Sequence, residues 1–217
     1  MRIPLGAQAV HAGNAILDLV FPPSARERRV RRNARRPLPA APAATDDAII
    51  ALSLYRDSSI ADAIQALKYE KSRAAARQLA GLLADFLLEL MGEEDAFDAR
   101  ALVLVPMPLA KRRFRERGYN QIALSLAELP ALGIALPVRA DLLARTRETT
   151  PQTLLSRHAR LTNVKGAFAA PLPRAAYQGV HAILIDDVTT TGATLTEAAR
   201  TLRTQGAAVT ALALARA

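Results

Sequence analysis

The chain has 217 residues, of which 51% are hydrophobic and only 4% aromatic, enough for one sizeable domain or a domain with an appendage. It carries a net charge of +9 and no cysteine, so disulfides, iron–sulfur clusters, thiolate zinc sites and a cysteine nucleophile are excluded together. The scarcity of aromatics, with no tryptophan, argues against an extended base-stacking platform.

In chain order, the stretch "AQAVHAGNAILDLVF" predicts a short helix, stopped by Pro22 and Pro23. His11, Asn14 and Asp18 interrupt its apolar character, and no run reaches the ~20 residues of a membrane span. The expectation is therefore a soluble, cytoplasmic protein with no membrane contact. Next comes "RERRVRRNARR" (26–36), with seven arginines and one glutamate, which carries most of the net charge. With the Pro/Ala-rich residues after it, this segment reads as a mobile linker, so residues 1–45 form an N-terminal helix and linker. An ordered domain is expected over 46–217.

Within that domain Ala48–Tyr55 predicts an edge strand. Ile60, Ile64, Leu67, Leu79, Leu82, Leu83, Phe86, Leu87 and Leu90 then recur at helical spacing up to Gly92. "ARALVLVPMPL" predicts a buried strand, "GYNQIALSLAELP" a helix and "LPVRADLLART" a further strand. The polar, weakly patterned segment 145–168 reads as a long excursion. "HAILIDDV" is a strand covered on both faces, "LTEAARTLRTQG" a helix ending at Gly206, and "AVTALALARA" a last strand. Strand and helix in alternation imply an α/β fold with a parallel sheet and helices on both sides, a three-layer Rossmann-like arrangement.

The chemistry concentrates where the run Ala182-Ile183-Leu184-Ile185 ends in Asp186 and Asp187. Adjacent carboxylates repel and resist burial, so folding alone does not ask for them. Thr189, Thr190, Thr191, Gly192, Ala193 and Thr194 follow at the turn into a helix. Such a turn offers backbone N–H groups, hydroxyls and the positive end of a helix dipole to an anion, and Gly192 lets it approach. Donors for a phosphate beside acceptors for hydroxyls suit a sugar phosphate. The plain alternative is that Thr191 or Thr194 caps the helix and the aspartates are merely solvated.

"ILIDDVTTTGATL" resembles the motif by which type I phosphoribosyltransferases bind phosphoribosyl pyrophosphate (PRPP). "ALKYEKSRAAARQLA", "LVPMPLAKRRFRERGYNQIALSLA" and "LLARTRETTPQTLLSRHARLTNVKGAF" narrow the resemblance to the ComF (ComFC/GntX-like) competence family. The resemblance implies the type I phosphoribosyltransferase fold and roles for single residues. Asp186 and Asp187 would hold the ribose hydroxyls, and Val188 through Thr194 would line the PRPP site. Pro106, Met107 and Pro108 would form the pyrophosphate turn, with Arg113 and Arg117 as partners for the polyanion. Arg145, Gln152, Arg160, Asn163 and Lys165 fall in the family's mobile catalytic loop, and Arg145 and Lys165 join the aspartates as catalytic candidates. Mg²⁺ would come with PRPP, with no separate metal site in the protein.

The chain departs from the family in one respect: ComF proteins commonly carry a four-cysteine zinc module after a segment like "LVFPP" (19–23), and here the arginine tract follows instead. The tract either binds phosphates or is a solubilising linker. Lys68 and Gln121 are read equally well as structural or as part of the site. Three readings compete: a PRPP- and Mg²⁺-dependent phosphoribosyltransferase linked to DNA uptake, a non-enzymatic transformation protein contacting single-stranded DNA or DNA-processing partners, and a salvage enzyme. The acceptor and the oligomeric state are left open.

Overall fold

Ala182, Leu184, Ile183 and Ile185 are all fully buried, although successive side chains of a strand point to opposite faces. The strand that carries them, β6 (Val180–Thr189), lies between β3 (Ala101–Pro106) and β7 (Ala208–Arg216), and all three run parallel. In the computed structural model, which describes residues 22–41, 43–44, 49–92, 100–148 and 164–217, the sheet continues outward through β2 (Ile49–Ala51). β2 is parallel to β7, and β1 (Ala43–Ala44) is an antiparallel edge. The expected N-terminal helix lies outside the described residues.

Helices cover both faces. Ile183 and Ile185 join a core with α2 (Ser58–Glu70), α3 (Arg73–Gly92) and α5 (Gln121–Leu126), whereas Ala182 and Leu184 pack against α6 (Ala193–Thr204) and Tyr177. The three-layer α/β/α expectation is thus met, with four parallel strands at its centre. The helical pattern of residues 58–92 breaks into two helices. Lys71 adopts a left-handed conformation (φ 52°), and the Ser72 hydroxyl accepts from the Ala75 N–H to start the second helix.

Two expectations are corrected. The arginine tract is not wholly a linker: residues 25–32 form a helix, α1 (Ala25–Arg32), docked on α2 and α3. Val30 is buried, Arg26 and Arg29 pair with Glu70 and Asp62 of α2, and Gln78 of α3 donates to the Asn33 carbonyl. The composition hid this because a single apolar residue, supported by cross-helix ion pairs, is enough to orient so short a helix. Val30→Ala is expected to lower stability by about 2 kcal/mol, read as a shifted urea midpoint.

The second correction concerns "LPVRADLLART". It does not form a full strand: Val138 makes one bridge to Leu104, after which the chain turns through Ala140–Leu142. Buried Leu142 and Leu143 draw it off the sheet toward Tyr177, whose hydroxyl donates to the Leu142 carbonyl. A short ladder follows, β4 (Ala144–Arg145) with β5 (Phe168–Ala169), which closes the base of the excursion.

Candidate functional site

Asp186 and Asp187 stand near the carboxyl end of β6, and the pleat sends them to opposite faces of the sheet. Asp187 falls on the face of Ile185, beneath α2 and α5. There its Oδ2 receives the Lys68 ammonium at 2.9 Å and a hydrogen bond from Gln121 Nε2 at 2.6 Å. Asp186 falls on the other face, within electrostatic reach of Arg145, and its Oδ1 accepts from the Asp187 N–H at 2.8 Å. Burial and the neighbouring Asp187 charge push the Asp186 carboxyl up to about 7, against the opposing effects of the Asp187 N–H, Lys68 and Arg145. No hydrogen bond forms to Oδ2 of Asp186 or Oδ1 of Asp187 among the described residues. Each carboxylate therefore keeps one acceptor for a ligand.

The turn after them is shorter than the motif suggests. Val188 and Thr189 are still strand, paired with Ala215 and Arg216, and the Thr189 carbonyl accepts from Ala217 N–H. The cradle proper is Thr190 to Thr194. Gly192 is left-handed (φ 79°) and starts α6 with no side-chain cap, so Thr191 and Thr194 do not close the helix end in the way the plain alternative requires. The buried Thr191 hydroxyl has no hydrogen-bond partner among the described residues.

Pro106 ends β3 opposite Ile185, and Met107 N–H donates to the Ile185 carbonyl at 2.8 Å. This register sets the turn beside the aspartates. Asn120 fixes it, donating to the Met107 carbonyl while its side-chain oxygen caps α5 at Ile122 N–H. From sequence, Asn120 shows only a capping signal. Arg113, on α4 (Lys111–Arg117), is exposed and close enough to Arg145 to disfavour its charge. Arg145 is held below the usual guanidinium range, mainly by burial, and its guanidinium lies 5.4 Å from the Phe168 ring. Arg113, Arg145 and Asp186 are thus brought together.

Other expected residues fall elsewhere. Arg117 donates to Gln121 Oε1 at 3.0 Å and, among the described residues, is joined to the site through that side chain. Lys165 is exposed beside Glu197 of α6, and no contact joins it to either aspartate. Gln152, Arg160 and Asn163 lie outside the described residues. Lys68 and Gln121, undecided from sequence, both belong to the site. Their only signal was a polar residue at the edge of an apolar helix face, and it is indistinguishable from a snorkelling lysine or a surface amide.

Among the described residues no group of three or more histidines or acids can hold a metal ion. No helix among them is long and apolar enough to cross a membrane. No protein-family model matches the chain. Over 105 residues it is 39% identical to the DNA utilization protein YhgH of Escherichia coli K12, covering 48% of this chain and 44% of the relative. Over 103 residues it is 34% identical to Competence protein F of Haemophilus influenzae Rd, covering the same 48% and 44%. Over 106 residues it is 37% identical to Competence protein ComFC of Bacillus subtilis 168, covering 49% of this chain and 40% of the relative. The chain thus matches less than half the length of these relatives.

Proposed function

These relatives support a ComF-family protein, and from that premise we propose that the chain binds PRPP with Mg²⁺ between Asp186 and Thr194. The observation that carries this reading is the pair of unused carboxylate oxygens, one on each aspartate, directly before a glycine-started helix without a side-chain cap. Two vicinal ribose hydroxyls offer two donors, and a 5′-phosphate accepts from the backbone N–H groups of residues 190–194. Lys68 offsets the Asp187 charge on the α2 side of the strand. Arg113 and Arg145 supply the cationic wall for the diphosphate, with the turn at Met107 below them.

A divalent ion fits this donor set as a companion of the ligand: one or two carboxylates suffice when substrate oxygens supply the remaining positions. When bound, it neutralises the diphosphate and helps it leave. The chain's own residues orient the ribose and stabilise the departing charge, which serves transfer of phosphoribose to an acceptor. The relatives' names support placing this activity in DNA uptake or utilization. Titration calorimetry tests the binding step. PRPP with Mg²⁺ is expected to give saturable heat, with weaker binding of ribose 5-phosphate; an absence of PRPP binding overturns the reading.

A further inference from the structure

We infer that Asn120 is a positioning residue that joins the ribose and diphosphate halves of the site and so sets a preference for a diphosphate over a lone phosphate; the inference rests on the PRPP reading. The Asn120 side chain serves two elements at once. Its oxygen accepts from Ile122 N–H at 2.9 Å and from Ala123 N–H at 3.3 Å, which starts α5. Gln121 is the first residue of that helix, and its Nε2 donates to Asp187 at 2.6 Å. The amide nitrogen of Asn120 turns the other way and donates to the Met107 carbonyl at 2.9 Å, 13 positions back in the chain.

That second bond clasps together the two ends of the segment that carries Arg113. Pro106 and Pro108 fix the backbone on either side of Met107 and offer no N–H. Met107 N–H is committed to the Ile185 carbonyl at 2.8 Å, and the Met107 side chain is buried. With its carbonyl held by Asn120, Met107 is tied to β6 on one side and to α5 on the other. α4 has no apolar anchor of its own, because none of its seven residues is buried. Arg112 pairs with Glu116 inside the helix, and its N–H donates to the exposed Glu148 carboxylate. The exit from α4 is fixed to α2 and α5, through Tyr119 on the Leu67 carbonyl and Arg117 on Gln121. Asn120 fixes the entry to that exit. Arg113 therefore has its place near Arg145 set by the clasp rather than by packing. A monophosphate seated at residues 190–194 does not reach this cationic wall, whereas a diphosphate does, so the clasp acts on one ligand and not on the other.

Titration calorimetry on the full chain compares PRPP with ribose 5-phosphate, both with Mg²⁺. Asn120→Ser keeps a capping oxygen but is too short to hold Met107 as well, and it is expected to leave ribose 5-phosphate affinity within about twofold. PRPP affinity is expected to fall on the order of tenfold, as for one weakened charge-assisted contact. In an Arg113→Gln background the same change is expected to lower PRPP affinity by less than about twofold, because the cation it positions is already gone. Trypsin reads the clasp without any ligand: cleavage within Lys111–Arg117 is expected to quicken at least about threefold in Asn120→Ser. Parental PRPP affinity in Asn120→Ser, equal losses for both ligands, additive losses with Arg113→Gln, or parental cleavage would each overturn the inference while PRPP binding by the parent stands. A parent that binds no PRPP overturns the PRPP reading and this inference with it. A general loss of fold would lower ribose 5-phosphate binding too, and circular dichroism of each variant checks this.

Discussion

Replacing both aspartates, Asp186→Asn with Asp187→Asn, is expected to reduce PRPP·Mg²⁺ affinity by at least about a hundredfold, since each loses a charged acceptor worth roughly 1.5–3 kcal/mol. Titration calorimetry reads the loss, and parental affinity in the double variant would show that the ligand sits elsewhere. Asp187 also carries a structural cost that Asp186 does not. Its partner Lys68 has a side chain only 15% exposed, and Asp187's own is 11% exposed. Asp187→Asn leaves that ammonium without its counter-charge, at a cost on the order of 3 kcal/mol. Adding Lys68→Met is expected to restore much of the stability without restoring PRPP binding. A denaturation double-mutant cycle on Lys68 and Asp187 measures the coupling, and an additive cycle would show that the ion pair stabilises nothing.

Asp186 is expected to act in the opposite direction. Its carboxyl is raised to about 7 in the folded chain from an ordinary value of 3.8. Folding therefore favours its protonated form. The stability from this group is complete below about pH 4 and is lost as pH rises through 7. At pH 8 the ionised carboxylate costs the ligand-free protein on the order of 4 kcal/mol. Asp186→Asn should then raise the thermal midpoint at pH 8 and change it little at pH 4.5. An equal effect at both values would show that burial and the Asp187 charge do not act on Asp186 as the geometry requires. This pH dependence fits a binding role: a site that strains itself when empty gains when ligand hydroxyls and a cation arrive.

The order of elements was legible in residue patterns alone. Continuous aliphatics at Ala182–Ile185 and Val103–Val105 meant strands covered on both faces, and the core confirms it. Ile60, Ile64 and Leu67 at helical spacing are likewise buried. The centre of the proposed site stands out in the sequence too, because two carboxylates before Thr-Thr-Thr-Gly have no purpose in a strand except at its end. Boundaries were less so. The left-handed Lys71 leaves no mark in the pattern, and the one buried residue that docks α1, Val30, is outnumbered by arginines.

By itself, then, the sequence determined the alternating layers and pointed to Asp186–Thr194 as the proposed cradle, since both follow from local periodicity and from residues adjacent in the chain. The tertiary structure alone decided which distant residues complete the site. Lys68 and Gln121 lie 119 and 66 positions from Asp187, and only the packing of α2 and α5 on one face of β6 brings them to it. It also decided that Lys165 stands apart beside Glu197, that Arg117 lies against the Tyr69 ring and that Lys71 lies against the Tyr119 ring. The physical reason is the same in each case. Charge pairing and stacking are set by distances across the fold, which single-chain spacing does not encode.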